Sequence, residues 1–201
     1  MQQDSFSLEA KLCCVDLLEQ CTRFHIMIEH RCCEMGLRNL GTEAKFDSKM
    51  NMDMYTQALS GLQGMYEDLR DHAHMSLDNE AEFQAYYVVS AAEPEVISGR
   101  LGLLPAAVLD DPKMQRALRV LAAIQNGDSV SFFRELKAAD YLTACLMHKH
   151  FDAVRHRALQ TINCGIKPNV PLSTLQRMLL LEDDAEARRL VKHFGLRVEA
   201  S

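Results

Sequence analysis

Apolar residues recur three and four positions apart along almost the whole chain, in segments of roughly 10 to 20 residues. This spacing lines one face of an α-helix, whereas a half-buried strand alternates at every second residue. The clearest stripe has five members, Tyr55, Leu59, Leu62, Tyr66 and Leu69. It predicts an amphipathic helix from about Asn51. Similar stripes along the rest of the chain predict an all-α fold.

Start and stop signals divide the chain into a series of such helices. Asp111-Pro112 places proline at a first helical position, and Gly127-Asp128 ends one helix and caps the next. Three further starts have the spacing of a capping box: Asn79 with Glu82, Ser173 with Gln176, and Asp183 with Glu186. Helices of this length with tight connections indicate stacked antiparallel pairs, that is, a helical-pair superhelix.

The chain changes character after Pro168. Two short helices follow, the second ending at Gly195, and Leu196-Arg-Val198 then predicts the beginning of a strand. Helix, short turn, helix and strand is the order of a winged-helix unit. We therefore predict two parts, a helical superhelix over residues 1–166 and the start of a winged helix, apparently incomplete, over residues 167–201.

The net charge of −6 is unevenly distributed. Residues 1–144 carry a net charge of −9 and residues 145–201 a net charge of +3. The acidic part argues against non-specific nucleic-acid binding by the whole chain but leaves room for a local basic surface. Arg188, Arg189, Lys192 and His193 pair at four-residue spacing and give the last helix a basic face. The alternative is an ordinary solvated face, balanced by neighbouring acidic residues.

Three cysteines and two histidines lie between Glu19 and Glu34 and suggest a metal or thiol site. An α-helix rises about 1.5 Å per residue, so Cys21 and Cys32 lie roughly 16 Å apart and cannot share one zinc ion. The chain has no CxxC or HExxH pattern. We therefore expect no metal and no cofactor.

An apolar stripe runs through this segment and just beyond it, made by Leu17, Cys21, Phe24, Ile28 and Met35. Because free cysteine packs as a small hydrophobe, we expect this stripe, with Cys21 in it, to face the core. A thiol- or metal-dependent enzyme that uses Cys21 and His25 is the alternative.

The remaining composition restricts the class of protein. Seven cysteines, an odd number without the spacing of a disulfide framework, favour a reducing compartment. No apolar run approaches the ~18 residues of a membrane span, so we expect no membrane partner. No nucleophile lies beside a base and an orienting acid, so we expect no small-molecule substrate. His148 and His150 are best explained as surface histidines, because alternate residues of a helix do not face each other.

Several segments in order resemble the GANP and leucine-permease-regulator family. The matching segments are Cys21-Thr-Arg-Phe-His25, Phe46-Asp47 with Asn51, Leu62 to Leu69, Glu80 to Tyr86, Asp128 to Arg134, Tyr141 to Cys145, Arg155 to Leu159, and Arg177 to Leu180. Relative to the family pattern, the chain begins after helices with Arg-x-Arg and Ile-Arg-x-Asp motifs and stops within the wing. We therefore expect it to correspond to a piece of the family domain.

The resemblance implies a PCI-like scaffold, non-enzymatic, in a nuclear-pore-associated transcription-and-export complex for mRNA. The expected partners are a second PCI-domain subunit, a small acidic subunit of the Sem/DSS type, and mRNA. The expected location is the nuclear face of the nuclear pore, with some protein in the cytoplasm. On this resemblance, the RNA contacts would be Arg188, Arg189, Lys192 and Arg197. A PCI-type subunit of another assembly, such as the proteasome lid or a translation-initiation complex, is the nearest alternative.

Overall fold

A computed structural model describes residues 7–33, 46–73, 75, 77–91, 94–165 and 170–196. These residues form eleven α-helices and no strand, which confirms the all-α fold class. The helices are α1 Leu8–Cys33, α2 Ser48–Ala73, α3 Glu80–Ala91, α4 Pro94–Leu101, α5 Ala106–Leu109, α6 Pro112–Asn126, α7 Ser129–Ala138, α8 Tyr141–His148, α9 Phe151–Gly165, α10 Leu172–Leu179 and α11 Asp184–His193.

Helices α1 and α2 form an antiparallel pair at the amino-terminal end. Lys11 of α1 bonds Asp68 near the end of α2, and His25 near the end of α1 bonds Asn51 near the start of α2. The predicted stripe of α2 is buried as a unit, each member being at most 3% exposed: Tyr55, Leu59, Leu62, Tyr66 and Leu69. The periodicity of α2 therefore predicted its buried face.

Helix α3 lies at the centre of the array. It is buried on most sides, with Phe83 and Val88 almost fully enclosed, and it packs against α2, α6 and α8. Its two carboxylates accept from surrounding helices, Glu80 from Arg70 of α2 and Glu82 from Arg23 of α1 and Lys113 of α6. One continuous hydrophobic core runs from Val15 in α1 to Val191 in α11.

The predicted boundaries of α6 and α7 are confirmed. The Asp111 carboxylate accepts a hydrogen bond from the Lys113 amide at the start of α6, with Pro112 as the first helical residue. Gly127 ends α6 with φ 69, a left-handed conformation in which a side chain would be strained. The Asp128 carboxylate then caps α7 through the Ser131 amide.

Two of the three predicted capping boxes are wrong in detail. α3 begins at Glu80, but the Asn79 amide donates to Glu19 and the Glu82 carboxylate binds Arg23 and Lys113. α10 begins at Leu172, directly after Pro171, so Ser173 lies inside its first turn. At α11 the predicted cap is confirmed, because the Asp183 carboxylate accepts a hydrogen bond from the Glu186 backbone amide.

The last part of the chain contains the two predicted short helices, α10 and α11, with Gly195 at φ 71 after the second. The predicted strand begins at Leu196, and its next residues, Arg197 and Val198, lie outside the described residues. The division at residues 166 and 167 also falls there and stays a prediction.

Candidate nucleic-acid interface

The basic face predicted for the last helix is exposed. Ala187 and Val191 are the buried residues of α11 and hold it against the core. The opposite side therefore presents Arg188, Arg189 and Lys192 to solvent. Among the residues that the structure describes, none makes a hydrogen bond or an ion pair with these three side chains. The fourth predicted residue, Arg197, lies outside the described residues.

Two acidic residues at the start of α11, Asp183 and Glu186, make structural contacts. Asp183 caps the helix through the Glu186 amide at 2.6 Å. Glu186 accepts from the Glu182 amide at 2.7 Å with one oxygen and from Arg155 at 3.2 Å with the other. Two of the three nearby carboxylates are thus held at the amino-terminal end of the helix. The cations Arg188, Arg189 and Lys192 occupy the exposed remainder of the helix, and the alternative of an ordinary solvated face stays open.

Arg155 of α9 joins the basic helix to the rest of the molecule. Its Nε and Nη2 atoms donate to the carbonyl oxygens of Leu179 and Leu180 at 3.2 and 2.9 Å, and Nη1 pairs with Glu186 at 3.2 Å. The guanidinium also lies 5.3 Å from the centre of the Phe151 ring. One side chain therefore contacts α10, the turn after it, and α11.

The ionisable side chains of the amino-terminal half form a different kind of arrangement, a buried network between α1, α2, α3 and α6. Glu19, which is 5% exposed, accepts from the Tyr66 hydroxyl at 2.8 Å and from the Asn79 amide at 2.7 Å. Burial, together with the hydrogen bond to Glu19, raises the pKa of Tyr66 well above its usual range. This pair fastens α1 to α2 and to the start of α3.

Glu82 is the second centre of the buried network. Its carboxylate accepts from Arg23 at 2.8 Å, from Lys113 at 2.6 Å and from the Tyr86 hydroxyl at 3.0 Å. Burial alone would raise the pKa of Glu82, but the hydrogen bonds from Arg23 and Lys113 lower it. The carboxylate is thus held in its charged form by donors from two other helices, an arrangement suited to fixing helices in place.

The expected burial of the Leu17 stripe is wrong. Leu17 is 55% and Phe24 53% exposed, and the Cys21 side chain is exposed as well. The buried side of α1 is marked instead by Val15, Ile26 and the polar residues Glu19 and Thr22. The polar members are buried because each has a partner: the Thr22 hydroxyl donates to the Leu18 carbonyl, and Glu19 accepts from Tyr66 and Asn79.

The histidine of the alternative thiol site is held by another residue. His25 Nδ1 lies 2.7 Å from the Asn51 side-chain oxygen, and the Asn51 amide nitrogen donates to the His25 carbonyl and to Glu29. This contact joins α1 to α2. No group of three or more His, Cys, Asp or Glu side chains is placed to hold a metal ion in the described part of the chain.

A cavity of 140 Å³ lies between α1, α2 and α8. Its lining is mostly apolar and includes Ile26, Met52, Tyr55 and Leu146. Pockets that enclose drug-sized ligands are larger, about 300–1,000 Å³. This cavity is therefore smaller than a pocket for a drug-sized ligand. No described helix has both the length and the apolar composition needed to cross a membrane.

Comparison with known proteins gives the same family as the motifs. The model of the SAC3/GANP family matches residues 1–200. The chain belongs to the SAC3/GANP family. It is 33% identical over 206 residues to the Protein xmas of Drosophila melanogaster and 30% identical over 208 residues to SAC3 family protein B of Arabidopsis thaliana, each alignment covering 98% of this chain. SAC3 family protein 1 of Schizosaccharomyces pombe is 27% identical over 90% of the chain.

These SAC3/GANP relatives are much longer proteins. The chain spans 9% of the length of Protein xmas, 12% of SAC3 family protein B and 19% of SAC3 family protein 1. Within the family region, sequence patterns located the basic face of α11 but missed Arg155, which holds it. One sequence feature could have indicated that Arg155 has structural partners. It lies between Val154 and Ala158, which are both buried, and a charged side chain in such a position needs partners.

Proposed function

We propose that this SAC3/GANP chain is a non-enzymatic scaffold module of a nuclear mRNA-export assembly and contributes an RNA-binding surface to it. The observation that carries the proposal is the basic face of α11. Three exposed cations, Arg188, Arg189 and Lys192, lie on one helix side in a chain whose net charge is −6. Phosphate groups are recognised by such clusters of lysine and arginine.

A scaffold role suits the way the chain uses its buried charges. The carboxylates of Glu19 and Glu82 are occupied by donors from neighbouring helices and so hold the helices together. His25, the histidine of the alternative thiol enzyme, bonds Asn51 and so joins α1 to α2. Positioning helices without reacting is what a scaffold requires.

We further propose a second PCI-domain subunit and a small acidic Sem/DSS-type subunit as protein partners, at the nuclear face of the nuclear pore. Family membership supports this proposal. Affinity purification from nuclei with mass spectrometry tests it. Recovery of both partners is the expected result. Recovery of proteasome-lid or translation-initiation subunits in their place would favour a different PCI-type assembly.

The RNA surface is tested by replacing Arg188, Arg189 and Lys192 together with glutamine. Each phosphate contact to single-stranded RNA contributes about 0.7 to the slope of log affinity against log salt, so the slope should fall by about 2. A matched control replaces three other exposed cations, Arg31, Lys49 and Lys137, with glutamine. The control removes the same charge and should leave the slope unchanged. Equal changes in the two variants would contradict a specific surface on α11.

A further inference from the structure

Helix α11 contacts α9 at two separate points. Near its amino-terminal end, Glu186 pairs with Arg155 at 3.2 Å. Just past its carboxyl-terminal end, the ring of Phe194 stacks on His156, with the ring centres 4.4 Å apart and the planes inclined by 24°. Eight residues separate Glu186 from Phe194, which is roughly 12 Å along a helix. Two contacts at that separation restrain the direction of α11 against α9.

Arg155 also binds the connection that leads into α11. The last carbonyl groups of a helix have no partner within it, and two of those near the end of α10, of Leu179 and Leu180, accept from Arg155. Leu180 has φ 51 and ψ 56, a left-handed conformation that leucine rarely adopts. The turn that sets the angle between α10 and α11 is thus held by the same guanidinium that pairs with α11.

The chemistry of arginine fits this task. Its planar group presents donors in fixed directions, so one side chain can bind three acceptors only when they stand in one arrangement. The Arg155 side chain is 13% exposed, which reduces competition from water and from salt. A lysine could offer its charge to Glu186 but could not reproduce the planar set of bonds.

We propose that Arg155 is the positioning residue of the RNA surface: it fixes α10 and α11 against α9, so that Arg188, Arg189 and Lys192 face outward in one direction. The inference rests on the RNA-binding role proposed for that face. Arg155 itself is largely buried and acts through the helices that it holds.

The test compares Arg155→Met with Arg157→Met. Arg157 lies on the same helix and also binds backbone carbonyls, but those of Ile124 and Gln125 in α6. Both variants remove one positive charge from α9, but loss of Arg155 also leaves the Glu186 carboxylate without its cation on α11, so a change in RNA affinity counts as positioning only together with a change in the distance distribution. Spin labels introduced as unnatural amino acids at Ala122 in α6 and Ala185 in α11, both exposed, report the position of α11 by pulsed dipolar spectroscopy.

Arg155→Met should broaden the distance distribution between the two labels while the helix content by circular dichroism is retained. RNA binding should weaken on the order of tenfold, the factor that a loss of about 1.4 kcal/mol produces. Arg157→Met should keep the narrow distribution and an affinity near that of the unaltered chain. An unchanged distribution in Arg155→Met, or a broadened one with unchanged RNA affinity, overturns the inference.

Arg155→Lys is a milder variant that keeps the positive charge. It should give a distribution of intermediate width, because one ammonium group cannot bind all three acceptors. A distribution as narrow as that of the unaltered chain would show that the planar set of bonds is not what positions α11. If the unaltered chain binds no RNA, the proposed function fails, while the distance measurements still decide whether Arg155 positions the helix.

Discussion

Charged side chains serve opposite purposes in two regions of this molecule, the network around Glu82 and the exposed face of α11. Between α1, α3 and α6, Glu82 is surrounded by Arg23, Lys113 and the Tyr86 hydroxyl, all within hydrogen-bonding distance. On α11, Arg188 and Lys192 have no ion-pair partner among the described residues and face solvent. Charges with partners hold helices in place, whereas charges without partners cost little in water and stay available to a ligand.

The largest expected effect is the loss of stability when a core residue of α1 is truncated. Ile26 is 3% exposed and Phe24 53% exposed on the same helix. Ile26→Ala should lower the free energy of unfolding by about 2–5 kcal/mol, because it leaves a cavity in the core. Phe24→Ala should change it by less than about 0.5 kcal/mol. Urea unfolding of the two variants measures both, and a larger loss in Phe24→Ala would mean that the stripe of Leu17 and Phe24 is the buried face after all.

The difference between α1 and α2 shows what apolar spacing can predict. In α2 the stripe from Tyr55 to Leu69 is apolar or aromatic and predicted the buried face, although Asn51 and Gln63 are buried there as well. In α1 the buried side includes Glu19 and Thr22, and the most regular apolar stripe lies outside. A buried carboxylate depends on donors such as Tyr66 and Asn79, which lie 47 and 60 residues away along the chain. Local spacing contains no information about such partners.

The residues of the candidate site also differ in whether local sequence spacing can predict them. Arg188, Arg189 and Lys192 could be predicted because four-residue spacing on one helix places cations on one side without help from the fold. Arg155 and His150 could not, since both bind backbone carbonyls, those of Leu179 and Leu180 and that of Val89, and the one side-chain partner of Arg155, Glu186, lies 31 residues away. Backbone groups are the same at every residue, so only the packing of α9 and α8 reveals which of them are reached. His150, predicted to lie at the surface, is half-buried against the Val89 carbonyl.

The buried network provides the next prediction. Glu82→Gln keeps the shape of the side chain but removes the charge that binds Arg23 and Lys113. It should lower the free energy of unfolding by about 2 kcal/mol, the usual cost of losing hydrogen bonds to charged groups. Arg189→Gln, at an exposed and unpaired position, should change it by less than about 0.5 kcal/mol. Similar losses in the two variants would remove the distinction between structural and available charges.

The smallest expected effect concerns pH. Burial lowers the pKa of His150, and the charge of Lys149 lowers it further, against the opposing effect of the hydrogen bond to the Val89 carbonyl at 2.8 Å. In the unfolded chain an imidazole has a pKa of about 6.5. As pH falls through this value, the unfolded chain therefore takes up the proton before the folded chain does, and stability is lost.

Thermal unfolding at about pH 7.5 and about pH 5.5, on either side of the unfolded pKa, measures this contribution. His150→Gln removes the titrating group and keeps an amide that can donate to Val89, so its midpoint should fall less between the two pH values than that of the unaltered chain. The other histidines are common to both proteins, and the difference between the two falls isolates His150. A fall of the same size in both would mean that His150 is as easily protonated in the folded chain as in the unfolded one. A protonated His150 beside the Val89 carbonyl would then cost the fold no more stability than the exposed cations of α11 do.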